Sequence, residues 1–288
     1  MPICNNCPRK CNVERNTNTG ICGVGENIKV ARAGLHFGEE PCISGTRGSG
    51  TIFFSGCSLK CVFCQNYEIS HQTFGKEISV NEFVDIIKRL EDSGAHNINL
   101  VTPTHYYKQL ERVFNKYKPS IPVIYNSSGY DTIESIKSDI FDVYLTDIKY
   151  YSSEKSLKYA RCADYYDVAM SALNEAISLK GAPQFDSDGI LKRGVVVRHL
   201  ILPQNTNESI TIIENFSNIS EKIVFSLMSQ YVPLYKACEF KELNRKITKR
   251  EYEKVLSKCF DINFAQMYIQ DKSSATEEFI PSFDLTGV

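Results

Sequence analysis

The 288-residue chain lacks an excess of either charge and lacks a long apolar run, and both absences exclude classes of function. Lys and Arg total 33 and Asp and Glu total 34, so the net charge is −1. This balance gives no electrostatic reason to expect a nucleic-acid or anionic membrane partner. No apolar stretch is long enough to span a bilayer, and the first residues lack the apolar core of a signal peptide. We therefore expect a cytoplasmic protein.

Cysteine, in contrast, is abundant and unevenly placed. The chain has 11 cysteines, with one group before residue 25 and a second between residues 57 and 64. The odd total, the close spacing and the missing export signal favour metal binding over disulfides. The remaining four are scattered, and we interpret them as small buried hydrophobic residues. They are Cys42, Cys162, Cys238 and Cys259.

The second group is a loop of three cysteines, Cys57, Cys61 and Cys64, which follows a strand-like run at 51–55 and the turn residue Gly56. If the loop coils, this spacing brings three sulfur atoms to one side. Thiolates gathered in this way bind iron–sulfur clusters or other soft metals. A four-iron cluster with only three protein thiolates keeps one iron open, and an open metal position can bind a ligand or substrate.

The first group is spaced C-x2-C-x3-C-x10-C and consists of Cys4, Cys7, Cys11 and Cys22. It lies in a polar segment that can bury little apolar surface by itself, so a bound metal would stabilise its fold. A structural zinc site and a second iron–sulfur cluster fit the four ligands equally well. Four unmetallated thiols in a tail would leave the spacing unexplained. The spacing does not distinguish zinc from iron.

From residue 51 onward, strand-like and helical patterns alternate. The predicted strands are 51–55, 97–102, 122–127, 143–147, 195–202 and 223–228, with 263–268 as a candidate seventh. The predicted helices are 80–93, 106–118, 132–138, a broken region at 154–178, 208–216 and 249–258. Repeated strand–helix units predict an α/β fold with a parallel sheet, either open or barrel-like.

This pattern divides the chain into three parts. Residues 1–48 form a Cys-rich extension and connector, 49–270 form the α/β barrel, and 271–288 form a C-terminal tail that we expect to wrap the domain.

Polar residues follow the predicted strands, where ligands bind in parallel α/β folds. These residues are Thr102, Thr104, Asn126, Ser127, Asp147 and Lys149, with Arg198 in the fifth strand. Together they predict one polar binding site at the carboxyl ends of the strands, around the three-cysteine loop. Each also has an ordinary alternative as a cap, turn or solvated strand end; Thr104, for example, is a preferred helix-capping type. His199, in an apolar strand, is more typical of a core histidine than of a ligand.

The loop Cys57-x3-Cys61-x2-Cys64, with the aromatic Phe63 before its last cysteine, resembles the signature of the radical S-adenosylmethionine (SAM) superfamily. The resemblance implies that the three cysteines hold a [4Fe-4S] cluster whose open iron is chelated by SAM. One electron then cleaves SAM into methionine and a 5′-deoxyadenosyl radical, which abstracts hydrogen from a substrate. It also implies a partial (β/α)6 TIM-like barrel, here with a small Cys-rich, metal-binding extension at the N-terminus.

Within the superfamily the chain is similar to the pyruvate formate-lyase activating enzyme-like branch, called PflX-type. The similarity runs along most of the chain and includes Cys7-Pro8-Arg9, Gly20-Ile21-Cys22-Gly23, Glu39-Glu40-Pro41, Cys64-Gln65-Asn66 and Arg198-His199-Leu200. It implies an oxidoreductase that works anaerobically and takes electrons from an external one-electron donor of the flavodoxin or ferredoxin type.

The resemblance also implies SAM contacts near the cluster. Phe63 would lie by the adenine. Thr102 and Thr104 stand where many members carry a Gly-Gly-Glu stretch that contacts the SAM amino group. Asn126 and Ser127 stand where the activating enzymes place an Asp-Thr pair.

Three further contacts are implied from the later strands. Asp147 and Lys149 match an Asp-x-Lys pair near the methionine carboxylate and ribose, and Arg198 would pair with a carboxylate because its planar fork suits that group. No catalytic residue is implied beyond the cluster and SAM.

The substrate stays open. The branch name suggests activation of a glycyl radical enzyme partner, but only Gln65–Ser79 separates Cys64 from the next helix, so the ferredoxin-like insert of many such activases is absent. A small molecule or a peptide is the alternative. An iron–sulfur or zinc redox or binding module without SAM chemistry is a reading of another class. The balanced charge disfavours an RNA-modifying enzyme.

Overall fold

The computed structural model describes residues 3–271, 275–276 and 280–288. The predicted tail therefore lies partly outside the described residues. The strands are β1 (Ile28–His36), β2 (Ser49–Phe54), β3 (Lys76–Ile78), β4 (Ile98–Val101), β5 (Val123–Ser127), β6 (Val143–Asp147), β7 (Gln184–Phe185), β8 (Leu191–Leu200), β9 (Val224–Met228) and β10 (Gln266–Ile269). The α-helices are α1 (Pro41–Ser44), α2 (Tyr67–Ser70), α3 (Val80–Asp92), α4 (Tyr107–Lys116), α5 (Ile133–Ile136), α6 (Ser153–Ala160), α7 (Tyr165–Lys180), α8 (Thr206–Asn215) and α9 (Lys249–Phe260).

One sheet organises the described residues, in the order β10-β9-β8-β6-β5-β4-β2-β1-β3, with β7 paired to β8. From β2 to β10 the neighbours pair in parallel and in chain order. Their carboxyl ends therefore lie along one edge. Strands β1 and β3 extend the sheet beyond β2 in antiparallel pairing. The predicted α/β partial barrel is confirmed, and the candidate seventh strand is present as β10.

Burial explains the strand pattern. Every residue of β2, β5 and β9 is buried, as expected for parallel strands covered on both faces. Helix α3 begins with a capping box between Ser79 and Glu82 and buries Phe83, Ile87 and Leu90 among other apolar residues. Each such side chain contributes roughly 1.5–3 kcal/mol when fully buried.

Two predicted elements differ in detail. The broken region at 154–178 is two helices, α6 and α7, and α6 ends at Arg161, whose φ of 55° is left-handed. The capping reading of Thr104 is wrong, because a 3-10 turn at Thr104–Tyr106 precedes α4 and no side chain caps it. Strands β3 and β7 were not predicted, since both are very short and mostly exposed.

The Cys-rich extension packs against the loop that follows β2. The Cys57 amide donates to the Cys22 carbonyl at 3.3 Å, and the Arg9 guanidinium donates to the carbonyls of Ser58 (2.8 Å) and Ala160 (2.7 Å). Gly56 has a φ of +84°, and a Cβ there would lie 2.9 Å from the Cys22 carbonyl oxygen. Only glycine lets the two segments come this close.

Residues 280–288 lie along β1. The Leu285 amide donates to the Ala31 carbonyl, and the Ala33 amide donates to the Thr286 carbonyl. The Phe283 ring meets Phe53 edge-on, with centroids 5.6 Å apart. This part of the tail therefore wraps the domain. No helix in the described part of the chain is long and apolar enough to cross a membrane.

Candidate cofactor site

A cavity of about 180 Å³ opens at the carboxyl ends of the parallel strands, with all three cysteines of the loop in its wall. The predicted site residues that also line it are Phe63, Thr102, Asn126, Ser127, Asp147, Lys149 and Arg198. The topology accounts for this convergence, because β2, β4, β5, β6 and β8 are successive neighbours in the sheet. The structure thus brings together every predicted residue of this site except Thr104.

Each of the three cysteine sulfur atoms accepts at least one hydrogen bond. The donors are the Leu59 amide to Cys57 (3.4 Å), the Tyr150 hydroxyl to Cys61 (3.4 Å) and the Ser70 hydroxyl to Cys64 (3.2 Å). Donors aimed at sulfur stabilise negative charge there. Such bonds are one means by which proteins set the potential of an iron–sulfur cluster.

Burial controls the protonation of two of these thiols. It raises the pKa of Cys61 to about 12 and the pKa of Cys64 to about 11, although the nearby Lys149 charge acts in the opposite direction. Both are therefore neutral thiols near pH 7 unless a metal is present. Metal coordination removes the proton outright, so these residues fit a metal cluster better than a free nucleophile.

Phe63 is held in a tyrosine cage. Its ring meets Tyr150, Tyr159 and Tyr231 edge-on at centroid distances of 6.4, 6.4 and 5.8 Å. Edge-to-face packing of this kind stabilises one ring orientation. Phe63 is mostly buried yet still lines the cavity, so it presents a fixed aromatic surface beside the cysteines.

Arg198 is the centre of a buried ionic network. Its Nε donates to Asp147 (2.7 Å), its Nη1 to Glu39 (2.9 Å) and its Nη2 to the Asn126 side-chain oxygen (2.8 Å). Lys149 contacts the other Asp147 oxygen at 2.5 Å. Burial alone would raise the pKa of Asp147, but the Arg198 and Lys149 charges together hold it below its usual value.

Glu39 is a site residue that the sequence reading missed. It comes from the connector between β1 and α1, far in the chain from Arg198, and no strand-end rule points to it. Its side chain also accepts hydrogen bonds from Asn99 (3.0 Å) and Asn126 (3.2 Å). The segment Glu39-Glu40-Pro41 was the signal that could have identified it.

The two threonines after β4 separate. Thr102 lines the cavity with a φ of 62°, a left-handed conformation that is rare for a β-branched residue and is often found at functional sites. Thr104 is buried and donates its hydroxyl to Asp131 at 2.7 Å. The structure therefore does not bring Thr104 to the cavity. Asp131, also unpredicted, accepts hydroxyl donors from Tyr125 and Ser127 as well.

His199 is a core histidine, as its place in an apolar strand suggested, and not a ligand. It is buried, and its two ring nitrogens contact the Ile148 carbonyl (2.7 Å) and the Ser209 hydroxyl (2.8 Å).

The four N-terminal cysteines come together beside the loop. Cys7 and Cys22 are buried, and Cys4 and Cys11 are half-buried. Burial, with a smaller contribution from the other three thiols, raises the pKa of Cys7 to about 12. A Cβ on Gly20 would lie 3.2 Å from the sulfur of Cys11 and 3.7 Å from that of Cys22. Among the described residues, no three His, Cys, Asp or Glu side chains converge as the ligands of a single metal ion would.

The protein is a partial parallel α/β barrel, and three thiols and several polar strand ends surround one cavity. These features are typical of α/β barrel proteins that bind a cofactor at the carboxyl ends of their strands. Residues 51–215 match the radical SAM superfamily, and the chain belongs to that superfamily. Its members are enzymes, and membership implies a [4Fe-4S] cluster and SAM.

The chain is similar to a protein of known sequence and to a protein of known structure. It is 32% identical over 277 residues to an uncharacterised protein of Methanocaldococcus jannaschii, covering 92% of this chain and 76% of that one. Streptococcus suis SuiB bound to SAM shares the fold with a TM-score of 0.50 at 14% identity, covering 75% of this chain and 48% of SuiB. SuiB bound to its precursor peptide SuiA gives 0.49 at 13% identity, covering 75% and 46%. The chain thus spans about half the length of these solved structures.

Proposed function

We propose that the chain holds a [4Fe-4S] cluster through Cys57, Cys61 and Cys64 and uses it to cleave SAM reductively. The observation that carries this proposal is a cavity whose wall contains all three cysteines, each with a hydrogen-bond donor to its sulfur, together with the polar strand ends. When bound, the cluster and SAM supply a 5′-deoxyadenosyl radical that abstracts hydrogen from a substrate.

The chain's own residues would orient SAM and exclude water. Phe63, fixed by its three tyrosine neighbours, offers a surface for the adenine. Lys149 and Asp147 offer a cation and a carboxylate for the charged amino-acid part. Arg198 fixes Asp147 and Asn126 and, as a residue of the same cavity wall, would join in carboxylate binding. The backbone at Thr102 would contact the SAM amino group.

The substrate and the electron donor complete the proposal. An external flavodoxin or ferredoxin type protein would supply the electron. The hydrogen would come from a glycyl radical enzyme partner, as in the activating enzyme-like branch, or from a small molecule or peptide. The competing class, a redox or binding module without SAM chemistry, would hold metal but would have no use for the polar strand ends.

The test is an anaerobic assay on the reconstituted full chain. With dithionite and SAM, we expect 5′-deoxyadenosine and methionine in equal amounts, measured by chromatography with mass detection. A protein that contains the complete cluster, accepts an electron and forms no deoxyadenosine would contradict the proposal and support the module without SAM chemistry.

Tyr150 should tune the cluster, because its hydroxyl donates to the Cys61 sulfur. Tyr150→Phe removes one donor that stabilises the more negative, reduced state, so the midpoint potential should shift to a more negative value. A difference of about 1 kcal/mol between oxidation states corresponds to roughly 40 mV for one electron. Potentiometric titration followed by electron paramagnetic resonance measures it.

Tyr159→Phe is the matched control, since the Tyr159 hydroxyl donates to Glu242 at 2.8 Å and not to a sulfur. Equal potentials in the two variants would contradict a tuning role for Tyr150.

The N-terminal group is a second proposed metal site, formed by Cys4, Cys7, Cys11 and Cys22. A variant with Cys57, Cys61 and Cys64 all replaced by alanine should still retain metal, because the two groups have separate ligands. Elemental analysis then identifies it: residual iron with sulfide indicates a second cluster, and zinc indicates a structural site. A variant free of both metals after reconstitution would contradict the site.

A further inference from the structure

A second cavity, of about 330 Å³, adjoins the cysteine cavity. The two share wall residues, including Asn66, Asn126, Arg198 and Gln230. The second cavity reaches the sheet interior, where Ser226 of β9 and Glu40 line it. Under the proposed function, on which this inference rests, a hydrogen donor must lie next to SAM. This cavity is the adjoining space.

The charges around this cavity do not balance. Among the described residues of its wall, Arg198 is the one Lys or Arg, and it is already paired with Glu39 at 2.9 Å and with Asp147 at 2.7 Å. Lys149, in the neighbouring cavity, pairs with Asp147. Two cations thus face two carboxylates, and the Glu40 carboxyl is an additional acid. Burial and the Arg32 charge lower the pKa of His36, which disfavours its charged form.

Glu40 lies in a buried position, where a carboxylate without a paired cation is energetically unfavourable. The residue is only 9% exposed; Ser226 hydrogen-bonds its carboxyl group, and among the described residues its Oε2 is buried with no hydrogen-bond partner. Burial raises the pKa of this carboxyl, and the Glu39 charge adds to the effect although Arg198 opposes it. A buried carboxylate with an unsatisfied oxygen is stable when a cation or a donor joins it.

The rest of the wall suits a short alkyl chain. Phe53, Val101 and Met228 supply apolar surface on part of the wall, Tyr268 also lines it, and side-chain amides such as Gln65 and Gln270 make the rest polar. Aromatic faces attract cations as well as apolar groups. The volume is that of a small ligand or one long side chain.

We propose that this cavity is the substrate chamber and that Glu40 binds an ammonium group carried on a short alkyl chain of the substrate. The ammonium would donate to the Glu40 carboxylate and complete the balance of side-chain charges around Arg198. The same chemistry is offered by a free aliphatic amine and by a lysine side chain of a peptide.

The test measures binding separately from turnover. The reconstituted full chain with SAM is titrated anaerobically, by calorimetry, with n-pentylamine and with 1-pentanol, which matches it in length but carries no charge. We expect pentylamine to bind at least about tenfold more tightly. Glu40→Gln should remove this preference and leave pentanol binding unchanged. Glu253→Gln, an acid-to-amide change at an exposed helix position, should change neither.

Two further arms keep the result decisive. Glu40→Asp retains the charge and should retain a reduced preference even if Glu40→Gln does not fold. Comparing L-lysine with a short peptide that contains one internal lysine identifies which source of the ammonium the chamber accepts.

The outcomes separate the two proposals. Equal binding of pentylamine and pentanol by wild-type protein that does form deoxyadenosine overturns the ammonium assignment and leaves the proposed function intact. A Glu40-dependent amine preference in protein that forms no deoxyadenosine supports the binding site, while the proposed function fails.

Discussion

Replacing Cys57 with alanine is expected to reduce deoxyadenosine formation to the level of a protein-free control. Under the proposed function the three thiolates would together hold the cluster, and the loss of one of them would remove one of its three protein ligands. Because Cys57 is only half-buried, the fold should survive the loss of its sulfur. Anaerobic product analysis, iron content and circular dichroism of the same preparation measure the three quantities.

Cys238→Ala is the matched control for this experiment. Cys238 is the exposed free cysteine among the described residues, and it lines neither cavity. Its replacement should leave iron content and deoxyadenosine formation unchanged. Retention of wild-type activity by Cys57→Ala would overturn the assignment of this loop as the cluster site.

Replacing Arg198 with methionine should lower the free energy of unfolding by about 3–5 kcal/mol, because it leaves buried carboxylates without their shared cation. The Arg198 side chain is 15% exposed, and the Asp147 and Glu39 side chains are 13% and 9% exposed. Urea denaturation at pH 7 measures the change. Arg112→Met is the control, since the Arg112 side chain is 65% exposed and its pair with Glu26 is at 3.5 Å. Its loss should cost about 0–1 kcal/mol.

The pH dependence gives this prediction a second readout. In the wild type the folded-state pKa of Asp147 is lowered, so its contribution to stability is present above about pH 4 and is lost as pH falls through the folded pKa. In Arg198→Met the pKa of Asp147 should rise. Acidification should then protonate Asp147 and remove the free-energy cost of burying its unpaired charge. The difference between wild type and variant should therefore shrink from pH 7 toward pH 4. A difference that stays constant over this range would contradict the network.

The strand ends were predictable because parallel strands share one polarity. Asn126, Asp147 and Arg198 each follow or lie in an apolar run, and a single rule places all three at one edge. The cysteine loop was predictable from spacing. Local patterns of this kind need no knowledge of distant contacts.

The rest of the site depends on contacts between segments far apart in the chain. Glu39 joins Arg198 across 159 residues, and the Tyr150 hydroxyl reaches Cys61 across 89. Thr104 shows that a local pattern can also mislead. Its residue type is suited to helix capping, but its hydroxyl donates a hydrogen bond to Asp131 instead. No local pattern reports where such partners come from.

The Cys57 amide donates a hydrogen bond to the Cys22 carbonyl. The two cysteine groups are therefore joined directly and do not belong to separate structural modules. The carbonyls of Ser58 and Ala160 are both bound by Arg9, from the same extension. A change at Arg9 or at the backbone of Cys22 would therefore alter hydrogen bonds to the backbone of the loop that carries Cys57. The extension is best regarded as one wall of the cysteine loop and not as an appended tag that could be exchanged without consequence.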